Sequence, residues 1–125
     1  MSADQERLWA VRGATVARND AMAIVAATEE LMRELMSRNE LDPERMVSCL
    51  FTVTSDLNAE FPAVAARKVG LDSVPLLCAR EVDVPGAMKG VIRVMVHFYG
   101  PAELKPTHTY LGETQKLRSD LESAQ

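Results

Sequence analysis

Val91-Ile92-Arg93-Val94-Met95-Val96-His97-Phe98 alternates without a break. Ile92, Val94, Val96 and Phe98 fall on one face of an extended chain, and Val91, Arg93, Met95 and His97 on the other. Such a row is a strand with an apolar face turned to a core. The element to cover that face lies upstream, where Ile24, Thr28, Leu31 and Leu35 fall at helical spacing and Val25, Met32 and Met36 widen the stripe. Asp20 offers an N-cap, and Glu29–Arg33 and Glu34–Arg38 are i,i+4 pairs in the favourable order. An amphipathic helix beside an alternating strand predicts a sheet covered on one face.

The remaining segments extend that picture. Leu8 to Gly13 reads as a short strand ending in a glycine turn, with Arg12 at its end. Asp42-Pro43-Glu44-Arg45 reads as a capped helical turn. In Met46–Thr54 the residues Val47, Cys49, Phe51 and Val53 face one way and Ser48, Leu50, Thr52 and Thr54 the other. Pro62 opens a short helix through Ala66, with Gly70 in its closing turn. Val74–Ala79 is a further strand, a loop follows over Glu81–Gly90, and Thr107–Lys116 reads as a last strand. Residues Arg118 to Gln125 are polar and read as a tail, flexible over about 119–125. The order β-α-β-α-β-β-β predicts an α/β (α+β) domain over residues 1–125, a mixed sheet with helices packed on one face.

Bulk properties narrow the function. The 125 residues carry a net charge of −4, which does not suit a general nucleic-acid binder. No apolar run approaches the length of a membrane span, and the acidic start MSADQERLWAV is unlike a secretory signal, so the expected compartment is the cytoplasm. Cys49 and Cys78 would there be free thiols. His97 and His108 are the only histidines, and no ligand spacing suggests a metal site. Cys78 has no evident histidine partner, which argues against a thiolate nucleophile. The methionines read as core filler.

Several polar residues sit at strand ends or beside turns: Arg12, Arg67, Cys78, Glu81, Arg93, Tyr110 and Arg118. An arginine in mid-strand, such as Arg93, needs a partner if its face is covered. On pattern alone, a solvated face or a structural ion pair accounts for it.

Taken in order, Val11-Arg12-Gly13-Ala14-Thr15, Thr54-Ser55-Asp56-Leu57-Asn58-Ala59-Glu60-Phe61-Pro62-Ala63, Val74-Pro75-Leu76-Leu77-Cys78, Glu81-Val82-Asp83-Val84 and Ile92-Arg93-Val94-Met95 resemble the monofunctional, trimeric chorismate mutase family. The resemblance covers nearly the whole chain. It implies a homotrimer forming a pseudo α/β-barrel, with active sites between neighbouring chains. It implies the rearrangement of chorismate to prephenate on the route to phenylalanine and tyrosine, with no cofactor, no metal, no nucleic acid and no membrane. By the same resemblance Arg93 faces the ether oxygen, Glu81 holds the ring hydroxyl, and Arg12 grips a substrate carboxylate with Tyr110 nearby. Cys78 contacts the ring hydroxyl, which requires a bulge or turn between it and Glu81. Phe61 and Ala63 form an apolar wall from the adjoining chain, and Leu76, Leu77 and Leu117 also line the site. Where the family often carries a lysine, this chain has Val64, which leaves Arg67 and Arg118 to carry more of the charge at the mouth. Two other readings suit a small trimer: an imine deaminase-like enzyme, or a non-catalytic module that binds an anion between chains. The pairing of Glu81 with Arg93 argues against the first.

Overall fold

In a computed structural model, which describes residues 5–117, five strands and two helices form the framework of the chain. They are β1 (Glu6–Val16), α1 (Ala21–Asn39), β2 (Met46–Val53), α2 (Ala63–Lys68), β3 (Leu76–Arg80), β4 (Val91–Pro101) and β5 (Thr109–Tyr110). Residues Arg118 to Gln125, including the expected tail, lie outside the described residues.

The sheet order is β3-β2-β4-β1-β5. β4 is central and runs antiparallel to both β1 and β2, while β3 pairs parallel with β2 and β5 parallel with β1. The sheet is therefore mixed, as the element order predicted. Both helices lie on one face. Leu31, Met32 and Leu35 of α1 and Ala63 and Ala66 of α2 join Val11, Cys49, Phe51, Val94, Val96 and Phe98 in a continuous core. Burying a side chain of that kind stabilises by about 1.5–3 kcal/mol.

α1 begins where the Asp20 carboxylate accepts a hydrogen bond from the Ala23 N–H at 2.9 Å. It ends where Glu40 turns left-handed, at φ 50°. Its two surface ion pairs form, at 2.8 Å for Arg33–Glu29 and 3.0 Å for Arg38–Glu34. Asp42 caps the 3-10 turn Pro43–Arg45 by accepting from the Glu44 N–H.

Four local expectations are corrected. Gly13 is not a turn, and Arg12 does not end a strand; β1 runs three residues past Gly13. A Cβ on Gly13 would stand 2.9 Å from the Thr109 carbonyl oxygen and 3.1 Å from Leu31 Cδ1. The glycine is there so that β5 and α1 can close on β1. Val47 does not share a face with Cys49 and Phe51. The register slips between Met46 and Ser48, so Met46 turns inward and Val47 is left exposed in a bulge. The third strand is Leu76–Arg80 rather than Val74–Ala79. The last strand shrinks to Thr109–Tyr110, because Gly112 adopts φ 58° and opens a 3-10 turn, Gly112–Thr114.

Candidate active site

The face of the sheet turned away from the helices gathers several of the expected site residues. Strand parity and register set it out in rows. One row holds Thr52 of β2, Arg93 of β4 and Ala14 of β1; the next holds Leu50, Met95 and Arg12. Tyr110 of β5 pairs with Ala14 and completes the first row. Arg12, Leu50, Thr52, Arg93, Met95 and Tyr110 thus line one cavity of about 250 Å³. Residues far apart in the chain reach it because β4 is inserted between β1 and β2.

Glu81 follows β3 directly, and its N–H donates to the Val53 carbonyl at 2.8 Å. Its carboxylate accepts a hydrogen bond from the Thr52 hydroxyl. The same oxygen, Oε2, lies 3.2 Å from Arg93 Nε. That nitrogen is buried and makes no aligned hydrogen bond, so the two groups attract as charges while the Nε–H stays uncommitted. The Arg93 side chain is 39% exposed and ion-paired with Glu81, so it is partly solvated and partly satisfied, with only its Nε–H left over. It is a held guanidinium with donor capacity to spare, facing a cavity.

Glu81 also borders a hollow of about 350 Å³ formed with the loop over 82–89 and with Asp56. Burial pushes the Asp56 carboxyl up, but hydrogen bonds from the Thr54 hydroxyl and the Gly90 N–H, together with Lys89, hold it below the usual carboxylate range.

The other expected residues lie elsewhere. Cys78 pairs with Phe51 and keeps that residue's parity, so it sits on the helix side of β3. It lines a separate hollow of about 380 Å³ with Leu57, Phe61, Pro62 and Arg80. The pairing of β3 with β2 stays regular through Arg80 and the Glu81 N–H continues it, so the expected bulge or turn between Cys78 and Glu81 is not there, and within one chain the two residues fall on opposite faces of the sheet. Phe61 is 68% exposed there. On α2, Ala63 is buried, Val64 half-buried and Arg67 exposed. Leu76 packs on the core, while Leu77 lies on the open face beside Leu50. Leu117 is half-buried, and Arg118 lies outside the described residues.

Both cysteines are free thiols. Burial, and then the charge of Cys78, push the Cys49 thiol up to about 12, so it stays protonated at neutral pH. Among the described residues no group of three or more His, Cys, Asp or Glu could hold a metal ion, and no helix is long and apolar enough to cross a membrane.

Sequence reasoning missed two contributors. Thr52, which orients Glu81, could have been found from its parity on β2, opposite the buried Phe51. His108, whose ring accepts a hydrogen bond from the Arg12 N–H at 3.0 Å, left no local signal.

Two arginines and a tyrosine line an apolar-floored cavity, with the Glu81 carboxylate beside Arg93, on the uncovered face of an α+β sheet. The chorismate mutase type I family matches over residues 8–121. The chain is 45% identical to the chorismate mutase AroH of Thermus thermophilus over 92% of this chain and 97% of that one. It is 38% identical to the chorismate mutase AroH of Bacillus subtilis, over 89% and 90% of the two chains. Among solved structures it superposes on the chorismate mutase from Clostridium thermocellum with a TM-score of 0.82 at 43% identity, covering 86% of this chain and 98% of that one. The chain belongs to the type I chorismate mutase family.

Proposed function

We propose that this protein converts chorismate to prephenate, as an isomerase of aromatic amino acid biosynthesis in the cytoplasm, in a site that two neighbouring copies complete. The observation that carries the reading is Arg93, held 3.2 Å from Glu81 with its Nε–H uncommitted, beside Arg12 and Tyr110 on the open face.

The rearrangement is unimolecular. One C–O bond breaks as one C–C bond forms, so the site has two tasks. It selects the compact conformer of a flexible dianion, and it stabilises the charge that develops, negative on the ether oxygen and positive on the ring. Arg12 and Tyr110 serve the first task by binding a carboxylate. Arg93 serves the second, because a guanidinium remains charged at any working pH and presents a rigid fork of donors. Glu81 fixes that fork, receives the ring hydroxyl and balances the cationic side of the transition state. Only the part of these contacts that strengthens as the bond breaks raises the rate.

A homotrimer supplies the rest of the wall. The open face carries Leu8, Leu77 and Tyr99, which are 48%, 62% and 46% exposed. Apolar side chains in that number on one sheet face favour burial against a second copy. A neighbour seated there would bring its Phe61 and Cys78 towards Arg93 and Glu81, which one chain does not do, while Leu77 already lies on the same face beside Leu50. Val64 supplies no charge, so Arg67 and Arg118 draw in the dianion at the mouth.

The test is chorismate turnover, followed as loss of its ultraviolet absorbance with prephenate identified, on wild type and Arg93→Ala alongside melting temperatures. Removing one neutral donor from an oxyanion site costs about 2.7–4 kcal/mol. Loss of a full charge should cost at least that, so turnover should fall by at least about 10²–10³ with little change in stability. A folded Arg93→Ala protein with near-normal turnover, or a wild type that binds chorismate without converting it, overturns the reading.

A further inference from the structure

Arg12 is held by an unusual partner. In a strand, a residue's N–H and C=O point to the same side, and alternate residues share that side. The Ala14 carbonyl points to the β5 side, where it accepts from the Leu111 N–H at 2.9 Å and from the Thr114 hydroxyl at 3.1 Å. The Arg12 N–H, two residues earlier, points the same way. β5 is only two residues long and begins at Thr109, opposite Gly13, so the ladder stops short of Arg12. The nearby Thr107 carbonyl is engaged by the Asn39 side chain at 3.0 Å, and the Thr107 N–H donates to Asn39 at 2.7 Å. The acceptor that continues the ladder is a side chain, His108 Nδ1, at 3.0 Å. A backbone N–H can only donate, so Nδ1 is unprotonated there.

We propose that His108 is a positioning residue for the substrate-binding Arg12, its imidazole Nδ1 standing in for a missing backbone carbonyl of β5. The inference rests on the carboxylate-binding role assigned above to Arg12. One hydrogen bond fixes the backbone from which the Arg12 guanidinium projects, and it ties that backbone to the start of the strand that carries Tyr110. Both groups line the same cavity, so a single side chain outside it adds one more tie to the β1–β5 pairing that spaces them. A second acceptor of the right reach can replace it, since the amide oxygen of asparagine falls near the place of histidine Nδ1.

The experiment compares wild type, His108→Ala and His108→Asn by chorismate kinetics and by hydrogen exchange of the Arg12 amide. His108 is exposed, so neither substitution opens a core cavity, and melting temperatures check the fold. His108→Ala should raise KM about three- to tenfold, as expected for one lost hydrogen bond, with kcat within about twofold of wild type. The Arg12 amide should lose its protection in the same variant. His108→Asn should restore both KM and protection. Unchanged KM and protection in His108→Ala would overturn the proposal, as would an asparagine variant as impaired as the alanine one. If wild type does not convert chorismate, the assigned reaction fails instead. The exchange comparison then still decides the anchor: protection lost in alanine and kept in asparagine supports it, and no difference overturns it.

Discussion

Cys49 lies in the core between the sheet and the helices, where its thiol is held up at about 12 against an ordinary 9.0. The consequence for stability follows from which state binds the proton. Between those values the unfolded thiol ionises and the folded one does not, so the folded state binds more protons and stability falls as pH rises. Below pH 9 both states are protonated and the residue contributes no pH dependence. The slope from this one group is up to ~1.4 kcal/mol per pH unit. Tyrosines and lysines titrate in the same range, so the measurement is a difference. Denaturant unfolding of wild type and Cys49→Ala from pH 8 to 10.5 should give a wild type that loses stability faster with pH. Parallel curves would show that the thiol ionises freely.

At the scale of elements, Gly13 decides how closely α1 and β5 approach β1. Gly13→Ala would place a methyl group 2.9 Å from the Thr109 carbonyl oxygen, a backbone atom that cannot rotate away. The expected cost is about 1–3 kcal/mol, typical of overpacking. Because β5 carries Tyr110, the same change should weaken chorismate binding, and a variant with wild-type melting temperature and KM would contradict it. This residue also marks the limit of reading elements from sequence. The alternation of β4 and the stripe of α1 were legible because their periods are local. The reason for Gly13 was not, since it depends on Leu31 and Thr109, which are distant in sequence. The bulge at Val47 escaped for the same reason, since only pairing with β4 reveals that Met46 and not Val47 turns inward. Tyr110 was placed in a strand correctly, but the strand's two-residue length depends on Asn39 and Thr114. For the site, parity alone put Arg93 on the face opposite the core. Its company of Arg12, Thr52 and Tyr110 depends on strand order, which no local pattern encodes.

At the scale of the whole molecule, the proposed assembly makes activity depend on the uncovered sheet face. Leu8 lies on that face, paired with Tyr99 and remote from the cavity residues. Leu8→Asp should leave the helix-side core intact while adding a charge that a subunit contact would have to bury. Sedimentation should show a wild type of three times the chain mass and a smaller, poorly active variant. A variant that sediments like wild type with full turnover would remove this face from the interface.

The central position of β4 has one more consequence, and it concerns the order in which the chain is made. β1 and β2 both hydrogen-bond to β4, which comes after them, with Glu6 opposite Pro101 and Val16 opposite Val91. Contacts of such long range make for slow folding. A chain ending at Gly90 holds β1 and β2 about two strand spacings apart, roughly 9–10 Å, each with an unpaired edge. Such a fragment should aggregate where a chain reaching Leu117 folds, as size-exclusion chromatography would reveal. At roughly 5–20 residues per second, a ribosome takes about a second to pass from Gly90 to Pro101. During that second the nascent sheet is a slot waiting for its middle strand, and any foreign strand that enters first competes with β4 for the place.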